Sequence, residues 1–286
     1  MFQILNTWQF NLVAYLVFIV LFFQSYKLAV RNAKRDGAAT VLLQLIAGVS
    51  ILLLAPLLAL DFPTSPKYWL LIIIASIFYA LNDRLQTTAR KHLPVSTYSI
   101  INQFTTIFLI AIGLVIFKEP LVTTKLVGAG LILLANILLV YKRDGVKINR
   151  NIWVAILATL VFSVAISVDI GISKQFNLPF YIMLTLIIPA VMVFFVERIK
   201  TKEVVDEYKS KSKNWYLITG VSWGLAIFFS LRSFNFGNVT TIVPLQATAV
   251  LLNVLMAYLF LGEREERLKK IIAAGLVIVG VYLTVL

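Results

Sequence analysis

Residues 95–119, VSTYSIINQFTTIFLIAIGLVIFKE, and residues 239–263, VTTIVPLQATAVLLNVLMAYLFLGE, are two writings of one pattern. Each is an apolar run of about transmembrane length, with an amide near its first third and a carboxylate at its close. Asn102 answers to Gln246 and Glu119 to Glu263, both at an offset of 144 (246 − 102 and 263 − 119). Val95/Val239, Ser96/Thr240 and Thr97/Thr241 keep the same offset. A register held from end to end of a helix reads as an internal duplication.

The repeat extends outward from this stretch. Trp8 pairs with Trp153, and Ala80-Leu81 with Gly224-Leu225. Lys125, Gly130 and Leu131 pair with Lys270, Gly275 and Leu276 at an offset of 145. The chain has 286 residues, of which 60% are hydrophobic and 14% charged, with a mean hydropathy of +0.91. A soluble domain is about a quarter charged. Continuous rather than alternating apolar runs read as helices, which satisfy their own backbone in lipid. Ten spans are expected, near 8–29, 38–60, 68–89, 94–117, 121–141, 150–173, 178–198, 214–236, 239–261 and 267–286. The fold class is therefore an all-α integral membrane protein, divided into a first five-helix repeat, 1–145, and a second, 146–286. Five is odd, so the second copy enters the membrane from the opposite side. Such inverted repeats place binding sites at their interface near the midplane. Spans two and seven align least well.

The net charge of +13 does not point to nucleic acid, because the charge is laid out as loop charge. Of the 26 Lys and Arg, 20 fall in the odd-numbered connections and 4 in the even-numbered ones. Basic loops stay inside, so both termini are expected to face outward from a plasma (inner) membrane. Met1–Asn11 has no basic residue, and no cleavable leader is expected. There is no cysteine, hence no disulfide framework. The sizeable hydrophilic insertion, Glu197–Lys213, reads equally as a short amphipathic helix or a loop.

Small residues and prolines refine the picture. Gly128 and Ala135, with counterparts Ala273 and Gly280, predict a close seam between spans five and ten. Pro189 should kink or break span seven, and Pro244 should bend span nine beside Gln246. Glu119 and Glu263, at helix ends, read as caps.

Several motifs then carry a family likeness. Phe117-Lys118-Glu119-Pro120-Leu121 precedes Gly128-Ala129-Gly130, and Leu261-Gly262-Glu263 precedes Ala273-Ala274-Gly275. Tyr79-Ala80-Leu81 leads through Ala89-Arg90-Lys91 into Val95, echoed by Ser233-Phe234-Asn235 leading into Val239 and Pro244. The chain resembles the EamA-type ten-helix transporters of the drug/metabolite transporter superfamily over nearly its whole length. The resemblance implies a carrier with a central cavity lined by both halves, moving small organic solutes. Relatives move amino acids, metabolites, drugs and nucleotide sugars. Members usually keep both termini cytoplasmic, which is opposite to the charge reading here.

Ionisable groups inside spans are functional suspects. Asp83 and Arg84 lie in span three, Asp169 in span six and Arg232 in span eight. Arg84 and Arg232 fall on nearly the same face of equivalent helices, one towards each mouth, and could grip an anionic solute or snorkel to headgroups. Asp83 and Asp169 are candidates for proton coupling, for the counter-ion of a cationic solute, or for a structural pair with Arg or Lys. The neutral polar set is Gln24, Asn102, Gln103, Gln246 and Asn253. Tyr79 and Trp223, equivalent midspan aromatics, could clamp a solute or simply pack.

The expected partners are a small solute, with protons as coupling ion, and the lipid bilayer; a homodimer is compatible with the sequence. No cofactor, metal or catalytic residue is expected. His92 is the sole histidine and no hydrolase signature is present; Asp36-Gly37-Ala38-Ala39 begins like a phospho-alcohol transferase box but lacks the later carboxylates. A flippase for lipids or lipid-linked sugars is the main rival, ahead of a channel or scaffold.

Overall fold

The structure is a computed structural model that describes residues 6–30, 33–93, 98, 101–141, 150–260 and 267–286. Twelve α-helices occur among them: α1 (Trp8–Val30), α2 (Asp36–Leu52), α3 (Pro66–His92), α4 (Phe104–Val115), α5 (Thr123–Val140), α6 (Arg150–Ile172), α7 (Leu178–Val196), α8 (Thr201–Tyr208), α9 (Lys213–Phe236), α10 (Val239–Ala247), α11 (Ala249–Phe260) and α12 (Arg267–Val285). No strand occurs among the described residues. Eight segments are long and apolar enough to cross a membrane, and α4 and α5 are shorter apolar helices. The protein is thus an all-helical integral membrane protein. The start of span four (Val95–Thr97) and the Leu261-Gly262-Glu263 motif lie outside the described residues, as do the basic residues of the connection 142–149.

Burial runs in the sense lipid requires. Asn11, Gln44, Asn136 and Asn177 are buried, while Val17, Val115, Leu134, Trp153 and Ile278 are exposed. Apolar faces on this scale would be a liability in water and are the normal exterior in hydrocarbon.

The chain forms two compact units. The first comprises Met1–Ala80 and Val168–Asn235, the second Leu81–Ser167 and Phe236–Leu286. Each unit takes helices from both sequence halves.

In the first unit α2 packs along α7, and Gly48 lets the two approach: a Cβ there would lie 3.0 Å from Ile187. α2 is shorter than expected for span two. It stops at Leu52, ahead of a 3-10 turn at Ala55–Leu57, because Pro56 has no N–H to continue the ladder. The turn is tied down by Asn177, whose Nδ2 donates to the carbonyls of Ala55 and Ala59, both at 3.0 Å. The same side chain caps α7, accepting from Phe180 N at 3.1 Å. Pro189 does not break α7, which runs on to Val196.

In the second unit α5 and α12 make the expected seam. A Cβ on Gly128 would lie 2.6 Å from the Gly280 carbonyl, and one on Gly280 2.8 Å from the Gly128 carbonyl. Ala135 and Ala273 share a buried cluster with Leu251 and Val277. Each small residue therefore meets the counterpart of the other, and backbone packs on backbone.

Candidate functional site

Asp169 is 2% exposed near the end of α6. Its Oδ2 accepts from the Tyr79 hydroxyl on α3 and its Oδ1 from the Tyr181 hydroxyl on α7, both at 2.6 Å. Tyr181 is fully buried and sits in the first turns of α7, positioned by the Asn177 cap and by its ring contact with Phe176 at 5.3 Å. Phe176 in turn meets Trp69 edge-on at 5.2 Å. Two short charge-assisted bonds of this kind are among the stronger side-chain hydrogen bonds. Among the described residues Asp169 forms no ion pair. The partners of this carboxylate are phenols rather than the Arg or Lys of an ion pair.

A second polar cluster lies in the second unit, at interruptions in the repeated helices. The helical ladder skips a rung at Gln103, ahead of α4, and at Thr248, between α10 and α11. At both points the backbone stays right-handed and tightens, with Thr106 N bonding to Gln103 O at 3.0 Å and Thr248 N to Leu245 O at 3.2 Å. Gln103 is the equivalent of Ala247 (247 − 103 = 144), so the two irregularities fall within one residue of each other in the repeat. Asn136 on α5 joins them. Its Nδ2 donates to Gln103 Oε1 at 3.1 Å and to the Ala247 carbonyl at 3.0 Å. Asn136 is fully buried, and its Oδ1 has no partner. Pro244 lies inside α10, which runs on past it to Ala247, so the interruption at Thr248 does not fall at the proline.

The remaining sequence candidates scatter. Asn102 is exposed and Gln246 half-buried, so the symmetric amide pair does not carry the cluster; its neighbour Gln103 does. Asn253 donates to the Ala249 carbonyl of its own helix at 3.0 Å. Gln24 and Asp83 are half-buried and Arg84 is exposed. Arg232 is half-buried and donates to Asn6 Oδ1 at 2.8 Å, just before α1. Trp223 packs against Phe22 at 5.6 Å, beside the core of α2. Of the aromatic pair, only Tyr79 touches an ionisable group of the site.

Glu119 caps, but not its own helix. Its carboxylate accepts from Val239 N at 2.6 Å, Thr240 N at 2.8 Å and the Thr240 hydroxyl at 2.6 Å, at the start of α10. Lys118, at φ 53°, turns the chain so that the carboxylate can reach. Lys125 donates to Thr241 at 2.9 Å in the same turn.

Tyr181 and Asn136 were not singled out from the sequence. Asn136 left one trace, a lone amide in the apolar run of α5. Tyr181 left none, because its contact crosses between segments.

No curated protein matches this chain. A solved structure whose title reads only "Crystal structure of protein" superposes with a TM-score of 0.78 at 12% identity, over 96% of this chain and 94% of that one. At that identity the likeness is one of fold. The model of the EamA-like transporter family matches twice, over residues 12–141 and again over 149–286. The two matches together span most of the chain, which belongs to the EamA-like transporter family.

Proposed function

We propose that the protein is a secondary carrier, an exporter or exchanger of a small organic metabolite, coupled to protons at Asp169. It works by alternating access through a cavity between two inverted five-helix repeats, residues 1–145 and 146–286. Membership of a transporter family supports the activity class. The observation that carries the coupling is the buried, phenol-held carboxylate of Asp169. A charged carboxylate at membrane depth is costly unless it is paired, hydrogen-bonded or neutralised. Proton uptake turns one carboxylate oxygen into a hydroxyl donor and leaves the other an acceptor, so one phenol must give up or reverse its hydrogen bond. The group can therefore change how it ties α3 to α7 as the proton comes and goes. Gln103, Asn136 and the Ala247 carbonyl supply donors and acceptors suited to an amide, hydroxyl or carboxyl group of the solute. The loop charges support both termini on the outer side.

Uptake of labelled solute panels into proteoliposomes under an imposed pH gradient tests the reading. Gradient-driven transport is expected in the wild type and is abolished in Asp169→Asn, with solute exchange retained. Unchanged pH dependence in the variant rules out coupling at Asp169. Transbilayer movement of labelled lipid without solute uptake would instead identify a flippase. Because the chain lacks cysteine, single cysteines at Asn6 and Lys209 report orientation directly. An impermeant maleimide applied to intact cells should label only the first.

A further inference from the structure

The connection between α7 and α9 sorts its charges. Of the three acids on α8, Glu207 is buried and Glu203 is committed to an ion pair. Glu203 pairs with Arg35 at 2.8 Å. Glu207 is 3% exposed and accepts from Lys34 N at 2.6 Å and the Tyr216 hydroxyl at 3.0 Å. Ile199 and Val204 bury beside them in the core built around α2. With this face committed, Arg198, Lys200, Lys202, Lys209, Lys211 and Lys213 are all exposed, and on α8 only Asp206 stands exposed against them. The segment joins two membrane-spanning helices, and the apolar side chains at its edges are bare: Phe195 is 70% exposed, Val196 67% and Trp215 41%.

We propose that Arg198–Lys213 is a docking surface for the anionic headgroups of phospholipids in the adjoining leaflet. Charge complementarity picks this occupant. Six cations lie within sixteen residues at the ends of two spans, while Glu207 is buried and Glu203 is held in an ion pair. Juxtamembrane basic clusters attract anionic lipid in this way, each cation adding to the pull. Exposed Phe195, Val196 and Trp215 suit the acyl boundary directly beneath headgroups, where aromatic side chains concentrate.

The test is lipid selectivity at the surface of the full-length protein, reconstituted in phosphatidylcholine bilayers with trace spin-labelled phosphatidylglycerol or phosphatidylcholine. The motionally restricted fraction should favour phosphatidylglycerol, and K200Q/K202Q/K209Q/K211Q should lower that preference by about threefold or more. The matched K200R/K202R/K209R/K211R variant should keep it, and so should K67Q/K118Q. In the wild type the preference should collapse near 1 M salt, where screening acts over about 3 Å. Undiminished selectivity in the glutamine variant overturns the proposal. So does a wild-type preference that ignores salt, a measurement that stands even if the variant fails to fold. Competition by soluble glycerophosphate also overturns it, since that would mark a site for free phosphate.

Discussion

Glu119 reaches across to Thr240 and accepts both its amide, at 2.8 Å, and its hydroxyl, at 2.6 Å. The carboxylate that ends the first copy of the repeated stretch thereby starts the second copy's helix. It adds a negative charge where the dipole of α10 is positive. Glu119→Ala removes every one of these contacts and is expected to destabilise the protein by about 2 kcal/mol. Glu119→Gln keeps one acceptor oxygen and should cost about half as much. Thermal unfolding in detergent micelles reads both; equal midpoints for wild type and Glu119→Ala would show that the cap is idle.

The α5–α12 seam separates two pairs of glycines that look alike in the sequence. A Cβ at Gly128 would collide with Thr284 Oγ1 and fall 2.6 Å from a backbone carbonyl, so Gly128→Ala forces the helices apart, at about 1–3 kcal/mol. Gly130 and Gly275 have nothing within 4 Å. Alanine at either should be neutral or stabilise the helix by up to about 1 kcal/mol. The contrast is measured by unfolding midpoints of the three single variants, and a loss at Gly130 equal to that at Gly128 would refute the seam.

The fold was legible because lipid leaves few options. Long continuous apolar runs must be helices, and a register repeated at 144–145 residues fixes how the copies correspond. Seam and cap were legible because small residues and terminal carboxylates have narrow uses. The site was less so. Asn102 and Gln103 are about 100° apart on a helix, so sequence alone could not say which amide faces protein. The pairing of Asn102 with Gln246 favoured the exposed one. Asp169 stood out as a buried charge, but Tyr181 became its partner only once α6 and α7 were folded together.

The tie between α2 and α8 is pH-sensitive in a defined direction. The backbone N–H of Lys200, at 2.7 Å, and then the guanidinium of Arg35 hold the Glu203 carboxyl below the usual glutamate range. A lowered acid stabilises the folded arrangement above its ordinary value and loses that contribution as pH falls through the lowered one. Protease nicking of the α7–α9 connection should stay flat from neutral pH down to about 4 and rise below it. Arg35→Gln should move the rise to higher pH, and a wild-type rise already complete near pH 6 would contradict the pairing.

Tyr79 and Tyr181 divide the two oxygens of Asp169 between them, so their removal should be unequal. Tyr181 is fully buried, and Tyr181→Phe leaves Oδ1 desolvated without a donor, at about 1.5–3 kcal/mol. Tyr79 is half-buried, and Tyr79→Phe should cost less because water can replace the lost hydroxyl. Unfolding midpoints rank the two variants. Substitution of both should cost more than the sum, since the carboxylate then has no donor at all.

Asn136 holds Gln103 to the Ala247 carbonyl, and its substitution distinguishes a binding site from a packing joint. Asn136→Ala takes its Nδ2 donor away from both oxygens, which costs about 1–3 kcal/mol in either case. If the joint only packs, Gln103→Leu combined with Asn136→Leu replaces polar by apolar contacts and restores both stability and transport. If the cluster grips solute, the double variant regains stability while the KM for transport stays raised, because its amides are gone. The predicted outcome is the second, read as a KM at least about tenfold above wild type with an unfolding midpoint within reach of it. Full recovery of KM in the double variant would move the solute away from the paired interruptions and leave them an architectural feature of the repeat.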